Sequence, residues 1–243
     1  MQDVAIEVKD LCVNYKIMKR QSIKSLLTKK GRDKTSLFSA VKNVSFSLEK
    51  GTIMGIVGKN GSGKTTILNT IAGIFCPDSG SVDLHGNSVS LLSIGVGFQV
   101  NLSGRDNIIL SGMMLGFSKQ EVMDKMDEII EFSELGTFID SPVRTYSSGM
   151  YSKLAFSITA ILETDIMLID EVLSVGDAKF KKKSYAKMKE LISDANRTVL
   201  IVSHSNDTLE ELCDCLMWLH EGEVKMFGET KEVLTAYKEY ALR

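Results

Sequence analysis

Eight residues constrain this chain more than any others: Gly58-Lys59-Asn60-Gly61-Ser62-Gly63-Lys64-Thr65. They fit G-x-x-x-x-G-K-[ST], a glycine-rich loop whose backbone amides cradle phosphates. The apolar run before them, Ile53-Met54-Gly55-Ile56-Val57, reads as a buried parallel strand. After them, Thr66-Ile67-Leu68-Asn69-Thr70-Ile71-Ala72-Gly73 reads as a helix closed by a glycine. Glycines let successive N–H groups converge on one phosphate with no Cβ in the way. The helix N-terminus adds partial positive charge. Lys64 is expected to reach the β- and γ-phosphates, and the Thr65 hydroxyl to hold Mg²⁺. Gly58, Lys59, Asn60, Gly61, Ser62, Gly63 and Thr66 complete the cradle. A glycine-rich turn that matched by chance would lack the flanking strand and helix, so the loop is read as a nucleotide site.

The rest of the chain sets bounds on that site. Its 243 residues, 44% hydrophobic and 25% charged, are enough for one large domain or a core with a lobe. A net charge of −2 gives no electrostatic footprint for nucleic acid. No apolar run approaches bilayer length, and the start Met1-Gln2-Asp3-Val4 lacks a basic and apolar leader, so a cytoplasmic protein is expected. Cys213-Asp214-Cys215 is too tight for an ordinary zinc pair and has no companion pair; reduced thiols are expected at Cys12, Cys76, Cys213 and Cys215.

In chain order, residues 4–8 read as a first strand, and the pattern continues to Tyr15. Residues 16–34 carry eight basic residues against one acid, Asp33, with a short apolar stripe of Ile23, Leu26 and Leu27. Two readings stand for this segment: a solvated loop, or a basic amphipathic element facing anionic headgroups or a phosphorylated substrate. Alternation from Ala40 to Leu48 predicts a half-buried strand. Pro77-Asp78-Ser79-Gly80 reads as a turn, followed by short strands near 81–84 and 88–92. From about Gly104 to Ala160 the period turns helical. Ser118-Lys119-Gln120-Glu121 is a capping box, with Val122, Met126, Ile129 and Ile130 as the apolar face behind it. Buried strands resume at 166–169 and 198–202. A hairpin is expected around Glu221-Gly222, and an amphipathic helix over 233–242.

Two further motifs carry chemistry. Asp170-Glu171 ends the apolar run Ile166-Met167-Leu168-Ile169, at the strand edge where parallel α/β sheets present their sites. Asp170 suits Mg²⁺ held largely through water, and Glu171 suits orienting or deprotonating a water. The alternative is two acids capping the next turn. Tyr146-Ser147-Ser148-Gly149-Met150, read alone, is a serine cap on a helix. It stands about 85 residues after the phosphate loop and 23 before Asp170.

That layout resembles the ATP-binding subunits of ABC transporters, with Tyr-Ser-Ser-Gly-Met in place of the usual Leu-Ser-Gly-Gly-Gln signature. The resemblance covers residues 4–235. It implies an α/β phosphate-loop core with an antiparallel β edge and an inserted helical subdomain: core over 1–98 and 162–243, helical subdomain over 99–161, basic insertion over 16–36. It also implies a head-to-tail homodimer in which Ser147, Ser148 and Gly149 complete the partner's ATP site. Gln99 matches the glutamine that joins core to lobe and touches Mg²⁺, and Asp177, in Ser174-Val175-Gly176-Asp177, the aspartate that crosses the dimer. His204 matches the switch histidine at the γ-phosphate, and Tyr15 the adenine-stacking aromatic. For these last two a structural histidine and a core tyrosine are the plainer alternatives.

Three features narrow the branch: Tyr-Ser-Ser-Gly-Met, Glu171 through Asp177, and Leu102-Ser103-Gly104-Arg105-Asp106-Asn107-Ile108. With the basic insertion they look like the ATPases of exporters for lipid-linked O-antigen, capsular polysaccharide or teichoic acid. The resemblance thus implies ATP and Mg²⁺ as cofactors, a separate transmembrane permease, a lipid-linked glycan or polymer as substrate, and a place on the cytoplasmic face of the cell membrane. Some relatives carry a further glycan-binding domain; the chain stops at Arg243, so substrate choice is expected to rest on the permease or the basic segment. Other transporter cargo, or a soluble ABC-type regulator, are the alternatives.

Overall fold

The computed structural model describes residues 3–18, 35–92, 97–170, 176–203 and 205–241. Glu171, His204 and residues 19–34 of the basic segment lie outside the described residues, as do Ser174 and Val175.

Five buried strands run parallel in one sheet. They are β3 (Ile53–Val57), β5 (Val89–Leu92), β6 (Ile166–Asp170), β7 (Thr198–Val202) and β8 (Cys215–His220), and β9 (Glu223–Glu229) closes the edge antiparallel. The order is β5-β6-β7-β3-β8-β9. A second sheet is wholly antiparallel, in the order β2-β1-β4, from β1 (Val4–Met18), β2 (Thr35–Glu49) and β4 (Ser79–Asp83).

The apolar runs read as buried strands because both faces of the parallel sheet are covered. Along β6, Ile166 and Leu168 enter one core while Met167 and Ile169 enter another. Strand β7 does the same with Leu200 and Val202 against Val199 and Ile201. This is the period of two expected of a pleated strand with no solvent face. The first core holds the antiparallel sheet and helix α1 (Lys64–Ile71) through Ile67, Leu68 and Ile71. The second holds α6 (Ala178–Ile192) through Phe180, Met188 and Leu191. It also takes Leu209 of α7 (Asn206–Leu212) and Val233 and Leu234 of α8 (Thr230–Ala241).

A third core belongs to the helical segment: α2 (Gly104–Met114), α3 (Lys119–Asp124), α4 (Met126–Ser133) and α5 (Ser148–Ile161). Helix α5 joins the cores. Leu154, Ile158 and Ile161 face the helical cluster, while Phe156 and Ala160 face the sheet cluster. The i, i+4, i+7 spacing of the first set and the i, i+4 spacing of the second put them on different faces of one helix.

The hairpin at Glu221-Gly222 and the Ser118–Glu121 capping box form as expected, the box with both reciprocal hydrogen bonds. Three details go beyond those expectations. Strand β1 runs past residue 8 to Met18, because Asp10 at φ 49 makes a register shift between Val8 and Leu11 and keeps Leu11 and Val13 buried. Residues 89–92, left without a sheet by their sequence, join the parallel one, paired with β6. The helix behind the capping box breaks at Lys125 (φ −98, ψ −1), and the bend keeps Val122, Met126 and Ile129 buried together.

Candidate functional site

Strand β3 ends at Val57 and α1 begins at Lys64, so the glycine loop is the strand-to-helix turn its sequence demands. Gly63 is the N-cap at φ 106, where a Cβ would fall 2.4 Å from the Ala40 carbonyl oxygen. At Gly58 (φ 156) a Cβ would lie 2.4 Å from the Leu219 carbonyl oxygen. The loop is therefore wedged between β2 and the end of β8, and only glycine fits at both points. Lacking a side chain, the Gly63 cap makes no side-chain hydrogen bond to the first turn of α1. A phosphate is the natural partner for such a terminus. The Lys64 ammonium donates to the carbonyls of Gly58 at 2.8 Å and Lys59 at 3.2 Å, and its side chain is buried. A buried cation, a glycine cradle and an uncapped helix start together suit a polyphosphate.

Beside the loop opens a cleft of about 650 Å³, large enough for a nucleotide. One wall is Asn60, Gly61, Gly63, Lys64, Thr65 and Thr66, with Asp170 at the tip of β6. Thr65 and Asp170 bring a hydroxyl and a carboxylate to one place, a donor set that fits Mg²⁺. The other wall is Tyr15, Phe38 and Ala40. Tyr15 and Phe38 stand directly opposite one another in the β1–β2 register, so their side chains share a face. The Tyr15 hydroxyl lies 3.2 Å from Thr66 Oγ1, and its ring meets Phe75 edge-on at 6.1 Å. Phe38 was not anticipated. Its signal, an aromatic two residues before Ala40, becomes meaningful only once β2 is paired with β1.

Gly58, Lys59, Ser62, Gln99, Ser147, Ser148, Gly149 and Asp177 do not line this cleft. Ser62 is buried, with no hydrogen-bond partner for its hydroxyl among the described residues. Gln99 is anchored through its backbone. Its N–H donates to Asn107 Oδ1 at 2.7 Å, and Asn107 Nδ2 donates to the carbonyls of Gln99 at 3.0 Å and Ser103 at 2.8 Å. Asn107 is fully buried, and leaving these backbone groups unpaired would cost roughly 1–3 kcal/mol each. Sequence reading did not give Asn107 this role. Ser147 caps α5, its hydroxyl accepting from the Met150 N–H at 3.2 Å; Ser147 and Ser148 are exposed at that helix start and Gly149 is half-buried. Apart from its chain neighbours and its own helix backbone, a Cβ placed at Gly149 meets, among the described residues, Ser147 Oγ at 3.8 Å.

Asp177 caps α6, accepting from the N–H groups of Lys179 and Phe180, both at 3.0 Å. Its other oxygen takes a 2.7 Å hydrogen bond from Lys153 of α5. Lys153 also lies 3.8 Å from Glu134, which meets Lys179 and Lys183 as well. The Lys153 hydrogen bond, then the Phe180 amide, lower the Asp177 carboxyl to about 2. For a lowered carboxylate the ionised form is retained until pH falls through the folded-state value. Asp177 is therefore expected to stay ionised through pH 3, and Lys153→Gln to move its titration back toward the ordinary 3.8. Carbon-13 NMR of the carboxyl reads this directly; an unmoved midpoint in the variant would contradict the pairing.

Burial pushes the Cys213 and Cys215 thiols up to about 12 and about 11. Both remain protonated at neutral pH, which suits packing rather than metal ligation.

The chain matches a protein-family model described as ABC transporter over residues 41–174, more than half of its length. It is 44% identical to an O-antigen export system ATP-binding protein from Myxococcus xanthus, over 93% of this chain and 51% of that one. A teichoic acids export ATP-binding protein from Lactococcus lactis is 46% identical, over 91% of this chain and 47% of that one. The chain thus spans about half the length of these two relatives. Against a teichoic acids export ATP-binding protein from Staphylococcus epidermidis it is 41% identical, over 98% of this chain and 89% of that one. Among solved structures, an ATP-binding subunit of an ABC transporter superposes with a TM-score of 0.73 at 22% identity, covering 96% of this chain and 93% of that one. A dimeric ATP-binding cassette bound to ADP and Pi in a post-hydrolysis state gives 0.69 at 20% identity, covering 93% and 98%. These likenesses show the fold of such cassettes, and the family match and the relatives agree with it: the chain belongs to the ABC transporter family.

Proposed function

We propose that this chain is the ATP-binding and ATP-hydrolysing subunit of an exporter that moves a lipid-linked polysaccharide or a teichoic acid-type polymer across the cytoplasmic membrane. The observation that carries the reading is the cleft itself, in which Lys64, Thr65, Thr66 and Asp170 converge beneath the Tyr15–Phe38 wall. The cargo rests on the relatives named for O-antigen and teichoic acid export, at 41–46% identity.

In this proposal Thr65 and Asp170 would hold Mg²⁺, with Gln99 reaching it from outside the cleft's lining, and the bound ion would neutralise charge on the phosphates. Lys64 and the loop amides bind the β- and γ-phosphates, and Tyr15 stacks on adenine. Glu171 orients or deprotonates the attacking water, and His204 contacts the γ-phosphate. The start of α5, Ser147 to Gly149, does not line its own chain's cleft and would complete the site of a second copy, with Asp177 crossing the same interface. Residues 99–161 act as the helical subdomain that carries the signature, and 1–98 with 162–243 as the core. The partner in the membrane is a separate permease, which would hold the chain at the cytoplasmic face. Among the described residues no helix is long and apolar enough to cross a membrane. Residues 16–34 would meet the anionic headgroup or pyrophosphate of the substrate.

The test is phosphate release by the purified chain with Mg²⁺ and ATP, together with polymer export in cells carrying the chain and its permease. Glu171→Gln is expected to retain ATP binding, accumulate as a dimer and lose most turnover. Normal hydrolysis by that variant would remove Glu171 from the catalytic role. Reversing several charges in 16–34 should lower export while basal hydrolysis persists; undiminished export would leave the segment a solvated loop.

A further inference from the structure

The last turn of α8 reaches back to the phosphate loop. The Lys59 ammonium lies 4.6 Å from the centre of the Tyr240 ring. Tyr240 is itself held in place: its ring packs on Trp218 at 5.1 Å and edge-on to His220 at 5.2 Å, and its hydroxyl lies 3.4 Å from His220 Nδ1. Trp218 and His220 belong to β8, and the turn that follows β8 backs the same loop. There the Gly222 N–H donates to the Ser62 carbonyl at 3.1 Å, while the Gly222 carbonyl accepts from the Lys42 N–H at 2.8 Å. The Leu219 carbonyl occupies the space a Gly58 Cβ would need. The loop is thus supported from behind by β8, its turn and α8. Its first variable residue has its charged end over an aromatic ring of the C-terminal helix and does not line the cleft.

We propose that Tyr240 is a positioning residue for the phosphate loop, acting through Lys59, so that seating of the end of α8 and nucleotide binding favour one another. The inference rests on the reading of the loop as a nucleotide site. A glycine-rich loop has many conformations when nothing holds it, and binding must otherwise select one of them. Lys59 tethered to a fixed ring removes part of that cost beforehand. For an exposed cation over a tyrosine face the attraction corresponds to roughly a two- to fivefold change in an equilibrium constant. Coupling of this kind is reciprocal: whatever α8 does for ATP affinity, ATP does for the seating of α8.

The experiment uses the full chain with Mg²⁺ and ATP, reading Kd by calorimetry and kcat and KM by phosphate release. Tyr240→Leu keeps bulk but removes the ring, and should weaken ATP binding about two- to fivefold with kcat unchanged. Tyr240→Phe keeps the ring face and should bind as wild type. Lys59→Gln should weaken binding alone, and adding Tyr240→Leu to it should cause no further loss. Equal Kd for Tyr240→Leu and wild type, equal losses in the Leu and Phe variants, or additive losses in the double variant would each overturn the inference. A measurement on wild type alone covers the case in which Tyr240→Leu does not fold: ATP should slow amide exchange over residues 230–241, and unchanged exchange would overturn it. Failure of wild type to bind ATP would instead overturn the nucleotide reading and this inference with it.

Discussion

Lys64→Ala is expected to abolish nucleotide-dependent activity, lowering ATP turnover by roughly 10²–10³-fold or more. Two separate losses combine in it. The ammonium is the buried cation of the cleft, and a preorganised charge aimed at phosphate is worth far more in such a site than in water. The same ammonium also ties down the carbonyls of Gly58 and Lys59, so its removal leaves both without that donor in a loop whose shape is the binding site. Both ATP affinity and kcat should fall. Phosphate release and calorimetry check this together; a variant that binds ATP as wild type and turns over normally would remove Lys64 from the site.

Gly149→Asp is expected to leave the fold and single-chain ATP binding intact and yet lose turnover by about 10²-fold or more. Beyond its chain neighbours and own helix backbone, a Cβ at Gly149 would meet, among the described residues, Ser147 Oγ at 3.8 Å, and the position has no left-handed backbone to strain, so the side chain is accommodated locally. The added carboxylate lies in the first turn of α5, where it suits the helix dipole in the free chain. It would repel the γ-phosphate of a partner's ATP if that helix start is an anion site across a dimer. Thermal melting and calorimetry should therefore match wild type while hydrolysis fails. Normal hydrolysis would show that the start of α5 takes no part in the reaction.

The two variants differ in how visible their residues were in the sequence. The glycine loop was legible because backbone chemistry leaves no substitute for glycine at Gly58 and Gly63, where carbonyls stand 2.4 Å from any Cβ. The helix starts at Ser118 and Ser147 were legible because a capping hydroxyl acts within three residues of itself. The parallel strands were legible because burial on both faces leaves an unbroken apolar run. What stayed hidden depends on contacts between distant segments. Phe38 acquires its place only through the β1–β2 register, which includes a shift at Asp10. Asn107 was seen as part of a branch pattern, but its hold on the Gln99 backbone depends on how the chain folds back before α2. The Lys153–Asp177 bond joins α5 to α6, and the Lys59–Tyr240 contact joins the phosphate loop to α8. No local pattern marks either one. Residues 89–92 show a related limit: a short apolar strand looks alike in a parallel or an antiparallel setting, and its pairing with β6 decided the matter.

In the proposed dimer each working site combines the phosphate loop of one chain with the α5 start of another. Mixing the two inactive proteins tests it most directly. A mixed dimer of Lys64→Ala and Gly149→Asp chains holds one site with both defects and one site with none. Half of randomly paired dimers are mixed, so an equal mixture should recover up to about a quarter of wild-type hydrolysis from two proteins that are each inert. If each chain instead completes its own site, every site in the mixture is defective, and hydrolysis will stay at the average of the two variants measured alone.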